Sequence, residues 1–347
     1  MPDRAAPPFG AAVATHLTHV CRRACPAPPD GLDLVLRWAT AAARLSPFLR
    51  LPSLCCQATG GDPAHAIPVS AAWHLLHCAA HLLDDLADEA IPSLEPAQAV
   101  NAAVTLVFLA QVSLTTLRHS QVEPERVVAL VAAFDTATAR MALGQAADLA
   151  WDEGAATLDD YWRVAGTKTG EFFGLACRAG AMLGTQPQAE VDIYATFGYH
   201  LGVLVQLSDD FRALWTPRGR GDLTTAGRTL PVVYALTVAS SEARGRLHSL
   251  LRRAPDDGST ELAKVPAALR ELQATLADPS TGSGQALGAL HYLTLQAGKQ
   301  HHLAHEALLS SARPAVAQHE LLKLLDAAFP AVAQERWPSH LKGSPNG

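Results

Sequence analysis

The chain is 347 residues long, 49% hydrophobic and 17% charged, which leaves ample apolar side chain for a sizeable core. A net charge of −6 without any basic block excludes a nucleic-acid partner. The six cysteines form no CxxC pair, and Cys55 and Cys56 are adjacent, a pattern that suits neither a disulfide framework nor a zinc site and fits a reducing cytoplasm.

Met1-Pro2-Asp3-Arg4 lacks the basic and apolar regions of a signal peptide, so none is expected. Residues 1 to about 10 are rich in Pro and Ala and are expected to fray, as are 338–347. Helical periodicity predicts Ala11–Cys25 and Leu32–Leu45, separated by the breaker Pro26-Ala27-Pro28-Pro29. An apolar stretch, Leu49–Ala58, ends at the turn signal Gly60-Gly61-Asp62-Pro63, and Ile67–Glu89 follows as a helix ending in acids. Pro96 to Leu117 carries no charge and is long enough to suggest a membrane span. Its Gln98, Asn101, Thr105, Gln111 and Ser113 favour instead a helix buried on most sides within a helical domain. Pro124–Ala150 is another helix, with Pro at its tolerated first position.

Leu158–Leu183 reads as a helix interrupted by Gly166, Gly170 and Gly174, each weakening it by ~1 kcal/mol relative to Ala while allowing a neighbour to approach. Asp159-Asp160 reads as a capping pair at its start. Gln188–Trp215, Leu230–Leu251, 261–277, 285–310 and 315–335 complete the pattern. Strand-like alternation is scarce, so the expected fold is all-α, a single large helical domain spanning 1–347.

Asp84, Asp85 and Asp88 crowd the C-terminal end of the predicted helix Ile67–Glu89, where acids repel one another and oppose the helix dipole. A hard divalent cation held by carboxylate oxygens would relieve both problems. A second pair, Asp209-Asp210, lies 125 residues beyond Asp84 and again follows a long apolar helix. Two such clusters on facing helices would make an apolar cavity with an acidic, metal-dependent rim, matched to a ligand with a diphosphate head and a hydrocarbon tail. His77, His81 and Asp85 have i, i+4, i+8 spacing that could ligate zinc, but histidines lining the cavity or bonding neighbours are the simpler reading. Trp73, Phe172, Phe173, Phe197, Phe211, Cys78 and Cys177 read as core.

Five ordered motifs carry a resemblance. Asp84-Asp85-Leu86-Ala87-Asp88 is similar to a DDxxD motif, Gly144-Gln145-Ala146-Ala147-Asp148-Leu149 to GQxxDL, and Lys168-Thr169-Gly170 to a KT-containing helix kink. Gln206-Leu207-Ser208-Asp209-Asp210 is similar to FQxxDD, and Gly221-Asp222-Leu223 with Gly227-Arg228-Thr229-Leu230-Pro231 to a GxDL…GKxTLP loop. Together, from about residue 30 to 335, the chain resembles the trans-prenyl diphosphate synthase (polyprenyl synthetase) family and the related class I terpenoid synthases. The resemblance implies a helical bundle around a central apolar cavity, Mg²⁺ as cofactor in several ions bridging to diphosphate, and a homodimer. Asp84, Asp85, Asp88, Asp209 and Asp210 would be the metal ligands, and Lys168, Arg218 and Arg228 would contact substrate diphosphate. Thr169 and Gln206 would flank the developing allylic cation, with Gln145, His81 and Phe172 along the cavity. Apart from the resemblance, Arg212 beside the shortened second motif would replace a metal contact by touching diphosphate directly.

The departures from the family pattern point elsewhere. Before the first motif, Pro47-Phe48-Leu49-Arg50-Leu51-Pro52 has one arginine where elongating members carry several basic residues. After it, Ile91-Pro92-Ser93-Leu94-Glu95-Pro96 replaces their RRGxP segment, and Ala213 occupies the third acidic position of the second motif. Those basic residues serve isopentenyl diphosphate in the family. The expectation is therefore a Mg²⁺-dependent class I enzyme that ionises an allylic prenyl diphosphate. Its cation would be captured by its own alkene, by water or by an unusual acceptor, as in a terpene synthase or an atypical prenyltransferase. The alternatives are chain elongation with isopentenyl diphosphate and a non-catalytic regulatory subunit.

Overall fold

A computed structural model describes residues 8–87, 94–150, 156–215, 226–251, 271–276, 288–311 and 316–329. Among them every regular element is helical, as the scarcity of alternating patterns predicts. The helices are α1 (Phe9–Ala24), α2 (Asp30–Ala42), α3 (Leu51–Ala58), α4 (Ala66–Ala87), α5 (Pro96–Thr115), α6 (Pro124–Leu149) and α7 (Leu158–Ala165). They continue as α8 (Glu171–Gly184), α9 (Gln188–Trp215), α10 (Leu230–Val238), α11 (Ser241–Leu251), α12 (Ala289–Leu309) and α13 (Val316–Ala328), with a further helical stretch at 271–276.

The chain divides into two compact units. The first comprises Met1–Ala139, Phe173–Gly198 and Ala307–Leu324, and the second Arg140–Phe172, Tyr199–Glu306 and Leu325–Gly347. In the first unit α4 packs against α1, α3 and α5, burying Val69, Ala72, Trp73 and Leu76. The Phe173 ring meets Trp73 edge-on at 5.4 Å and Phe48 at 5.2 Å. A Cβ at Gly180 would collide with the Pro52 carbonyl oxygen, so glycine there lets α8 lie directly on α3. In the second unit Phe211 stacks with Trp215 at 5.4 Å and meets Phe329 at 5.6 Å.

Two expectations need correction. Leu230–Leu251 is two helices, because Ala239 turns extended (φ −65°, ψ 144°). The break is a capping device. The Ser240 hydroxyl accepts from the Ala243 N–H at 3.3 Å, while the Arg244 guanidinium donates to the carbonyls of Leu236 and Ala239. The uncharged α5 is not buried on most sides. Val100, Val104 and Phe108 are exposed, Phe108 by 66%. Apolar residues occur all around this helix, so its sequence did not mark the face that packs. By length and composition alone, the segments Pro63–Ala87, Pro96–His119 and Pro124–Leu149 could each cross a membrane. The proposed tails 338–347 lie outside the described residues, as does most of the predicted helix 261–277.

Candidate active site

The first acidic cluster closes α4. Asp84 is half-buried and Asp85 exposed in its last turn; Asp88 lies outside the described residues. Behind the acids, one face of the helix is a run of rings. Trp73 and His77 lie parallel with centroids 6.1 Å apart, and His77 meets the exposed His81 edge-on at 4.3 Å. Burial lowers the His77 pKa to about 3, with His81 and His74 adding repulsion. His74 is buried, its Nε2 bonded to the Ala39 carbonyl at 2.8 Å. His77 and His81 thus pack as rings, while His74 bonds a backbone carbonyl. Among the described residues, no three His, Cys, Asp or Glu side chains converge as a metal site.

The second cluster is a hydrogen-bonded network within the second unit. Thr157 and Asp160 form a reciprocal capping box that starts α7, the role expected of the Asp159-Asp160 pair. At its other end the helix widens into a π-type turn, Gly166–Gly170, and resumes as α8. Such bulges insert a residue and re-aim the side chains of one turn, frequently at functional sites. The glycines make room for neighbours. A Cβ at Gly170 would come within 2.7 Å of the Tyr199 ring, and one at Gly144 within 2.6 Å of the Thr167 hydroxyl.

From this turn Lys168 reaches Asp148 of α6, Nζ to Oδ2 at 3.3 Å. The Thr169 hydroxyl donates to Gln206 Oε1 at 2.8 Å, and Gln206 Nε2 donates to Asp210 Oδ1 at 3.1 Å. The other oxygen of Asp210 accepts from Tyr161 Oη at 2.6 Å and from the Leu230 N–H at 2.7 Å. Burial raises the Asp210 pKa to about 6; its three donors pull it down and the Asp209 charge pushes it up. Asp209, one residue earlier, is exposed and pairs with Arg212 at 3.1 Å.

Of the remaining expected residues, Phe172 is buried. Gln145 Oε1 and Arg228 Nε are buried polar atoms without a hydrogen-bond partner among the described residues. Arg218 lies outside those residues. The structure thus joins Lys168, Thr169, Gln206 and Asp210 to Asp148, Tyr161 and the Leu230 N–H. Asp148 was visible as part of a motif, but its pairing with Lys168 was not. Tyr161 carries no spacing signal at all.

The fit to Mg²⁺ rests on donor chemistry. Asp85 and Asp209 offer hard carboxylate oxygens at exposed positions and Asp84 at a half-buried one, whereas Asp210 is buried and accepts from three donors. Mg²⁺ typically takes one or two protein carboxylates plus substrate phosphates and water, and needs no complete protein cage.

The model of the polyprenyl synthetase family matches residues 50–269. A geranylgeranyl diphosphate synthase of Mycobacterium tuberculosis is 29% identical over 61% of this chain and 64% of its own length. A short chain isoprenyl diphosphate synthase of Methanothermobacter thermautotrophicus is 30% identical over 60% of this chain and 67% of its own. The chain thus spans just under two thirds of the mycobacterial relative. A polyprenyl synthetase structure from Streptomyces coelicolor aligns with a TM-score of 0.64 at 26% identity, covering 94% of both chains. A geranylgeranyl pyrophosphate synthetase structure from Pyrococcus horikoshii aligns at 0.73 and 20% identity, covering 94% and 98%, a likeness of fold.

Proposed function

This chain belongs to the polyprenyl synthetase family, and on that footing we propose that it is a Mg²⁺-dependent prenyltransferase joining an allylic prenyl diphosphate to isopentenyl diphosphate. The observation that carries the reading is the relatives' own description as geranylgeranyl and short chain isoprenyl diphosphate synthases. They favour the elongating alternative over the terpene-synthase reading of the sequence. The 220 matched positions draw on both compact units, which supports one catalytic domain.

In this reading Asp84, Asp85 and Asp88 would hold a cation in the first cluster, and Asp209 would do so in the second. Mg²⁺ would supply charge stabilisation on the departing diphosphate without proton transfer. Lys168, kept in place by Asp148, adds a fixed positive charge toward the same developing anion. Arg228 has a buried Nε unpartnered among the described residues, as a guanidinium awaiting an anion would. Thr169 and Gln206, locked to each other, present fixed dipoles beside the allylic carbon. Buried aromatic side chains such as Phe172 line the apolar path of the tail and keep water from the cation.

The uncovered apolar face of α5, with Val100, Val104 and Phe108, is the surface a second copy would cover in a homodimer. All six cysteines are free thiols, which supports a reducing cytoplasmic setting.

One observation favours a second reading. Arg50 stands alone in 47–52 and no arginine occurs in 91–96, so these two segments offer a second diphosphate little positive charge. Under that reading the cation is captured by its own alkene or by water. Product analysis by mass spectrometry separates the readings. A longer diphosphate formed only when isopentenyl diphosphate accompanies the allylic substrate carries the proposal. Hydrocarbon or alcohol from the allylic substrate alone carries the second reading. No turnover of geranyl, farnesyl or geranylgeranyl diphosphate would favour a regulatory subunit.

A further inference from the structure

We infer that Tyr161 is a positioning residue for the ionising site, acting through Asp210, which serves as a buried hydrogen-bond hub and not as a cation ligand. The inference rests on the reading of the site given above and deepens it.

Tyr161 and Asp210 are 3% and 4% exposed. Asp210 receives three donors, two on Oδ2 from Tyr161 Oη and the Leu230 N–H, one on Oδ1 from Gln206. Oδ2 already accepts twice and Oδ1 once, which leaves a cation a single lone-pair site on a carboxylate only 4% exposed, and displacing any of the three donors would leave it unmet in a buried setting, where that is expensive. Each donor also has a reason to be there. Leu230 opens α10, whose first-turn N–H groups have no partner within the helix, and a carboxylate at a helix N-terminus is favoured by the dipole. The Gln206 amide is oriented by both ends at once. Its Nε2 must donate to Asp210, so its Oε1 is left to accept from Thr169.

Tyr161 of α7 therefore sets Asp210 of α9. Asp210 in turn fixes Gln206 one turn earlier, and Gln206 fixes Thr169 in the π-type turn. The two consecutive aspartates divide by direction. They differ by about 100° around the helix, so one faces the network while Asp209 faces solvent and Arg212. An Asp-Asp pair reads in sequence as two equivalent ligands, and only the side-chain partners separate them.

The test uses the full chain and the variants Tyr161→Phe, Asp210→Asn, the double variant, and Asp209→Asn for comparison. Steady-state kinetics with an allylic diphosphate and isopentenyl diphosphate give kcat, KM and the Mg²⁺ concentration at half-saturation. Y161F should lower kcat about tenfold, the scale of losing one hydrogen bond to a charged group, with Mg²⁺ half-saturation unchanged. D210N should behave alike, and the double variant should be no slower than D210N. D209N should raise the Mg²⁺ requirement.

Hydrogen exchange on the metal-free protein supplies a readout independent of turnover. Y161F should speed exchange in peptides covering 166–170 and 226–238 relative to wild type. A D210N shift in Mg²⁺ half-saturation as large as that of D209N would overturn the inference. So would multiplicative losses in the double variant, or a Y161F protein with unchanged kcat and unchanged exchange. Y161F keeps the ring, so the exchange result stands even if D210N fails to fold. Failure of the functional reading would show separately, as a wild type without turnover.

Discussion

The two aspartate pairs carry the same letters and have opposite surroundings. Asp84 and Asp85 end a helix, half-buried and exposed, with a run of rings behind them. Asp209 and Asp210 split, the first exposed against Arg212 and the second sealed beneath Tyr161, Leu230 and Gln206. The carboxylates of the first pair, half-buried and exposed, lie within a cation's reach. A carboxylate satisfied from three sides is architecture. The difference shows that an acidic motif reports which chemistry is possible at a place, while burial and partners decide which of its residues can perform it.

The largest effect expected from breaking this contrast lies at the accessible cluster. Asp84→Asn with Asp85→Asn should lower turnover at least about a hundredfold, as for removal of groups that stabilise developing charge, without lowering the thermal unfolding midpoint. A double variant that keeps wild-type turnover would separate the first cluster from the chemistry.

Next comes the Lys168–Asp148 pair, partly buried with 26% and 15% side-chain exposure. Lys168→Ala should lower kcat about a hundredfold. Asp148→Asn should lower it by about tenfold, because the charge remains while its placement loosens. Equal losses from the two would mean that Asp148 does more than hold the lysine.

Smaller still is the packing of the π-type turn. Gly170→Ala drives a methyl into the Tyr199 ring and should destabilise by about 1–3 kcal/mol, read from denaturant unfolding.

The smallest effect concerns the rings behind the first cluster. Burial holds His77 at a pKa of about 3 and, away from that cluster, His16 of α1, bonded to Ser113 at 3.0 Å, at about 4, so both are neutral when folded, whereas unfolded histidine titrates near ~6.5. Below that value the unfolded chain binds more protons. Their contribution is therefore fully present above about pH 6.5 and is lost as pH falls toward 4 and then 3. His77→Phe keeps a ring and should flatten the decline in unfolding midpoint between pH 7 and 4. An unchanged slope would place the acid sensitivity elsewhere.

Much of this was legible in the sequence. The bounds of α4, α6 and α9 follow from long apolar periodicities bounded by Pro, Gly and acids, and Gln188–Trp215 is recovered to the residue. The interrupted helix at 158–183 was visible in its glycines, whose spacing marks the π-type turn. The break at Ala239 was not, since Ser240 and Arg244 cap it without Gly or Pro. Lys168 and Gln206 were visible as motif members, but their partners come from other helices, and no local spacing encodes a contact between residues 161 and 210 or 148 and 168. The open face of α5 carries no sequence signal for a related reason. A helix apolar all round shows how much it could bury and not what covers it.

The most direct test of the central claim follows carbon. The purified chain is incubated with Mg²⁺, an allylic prenyl diphosphate and ¹³C-labelled isopentenyl diphosphate, and the products are read by mass spectrometry. The expected product is a diphosphate longer by one or more five-carbon units, each carrying label, and none forms when either substrate is omitted. Unlabelled hydrocarbon or alcohol, made equally well without isopentenyl diphosphate, would contradict the claim.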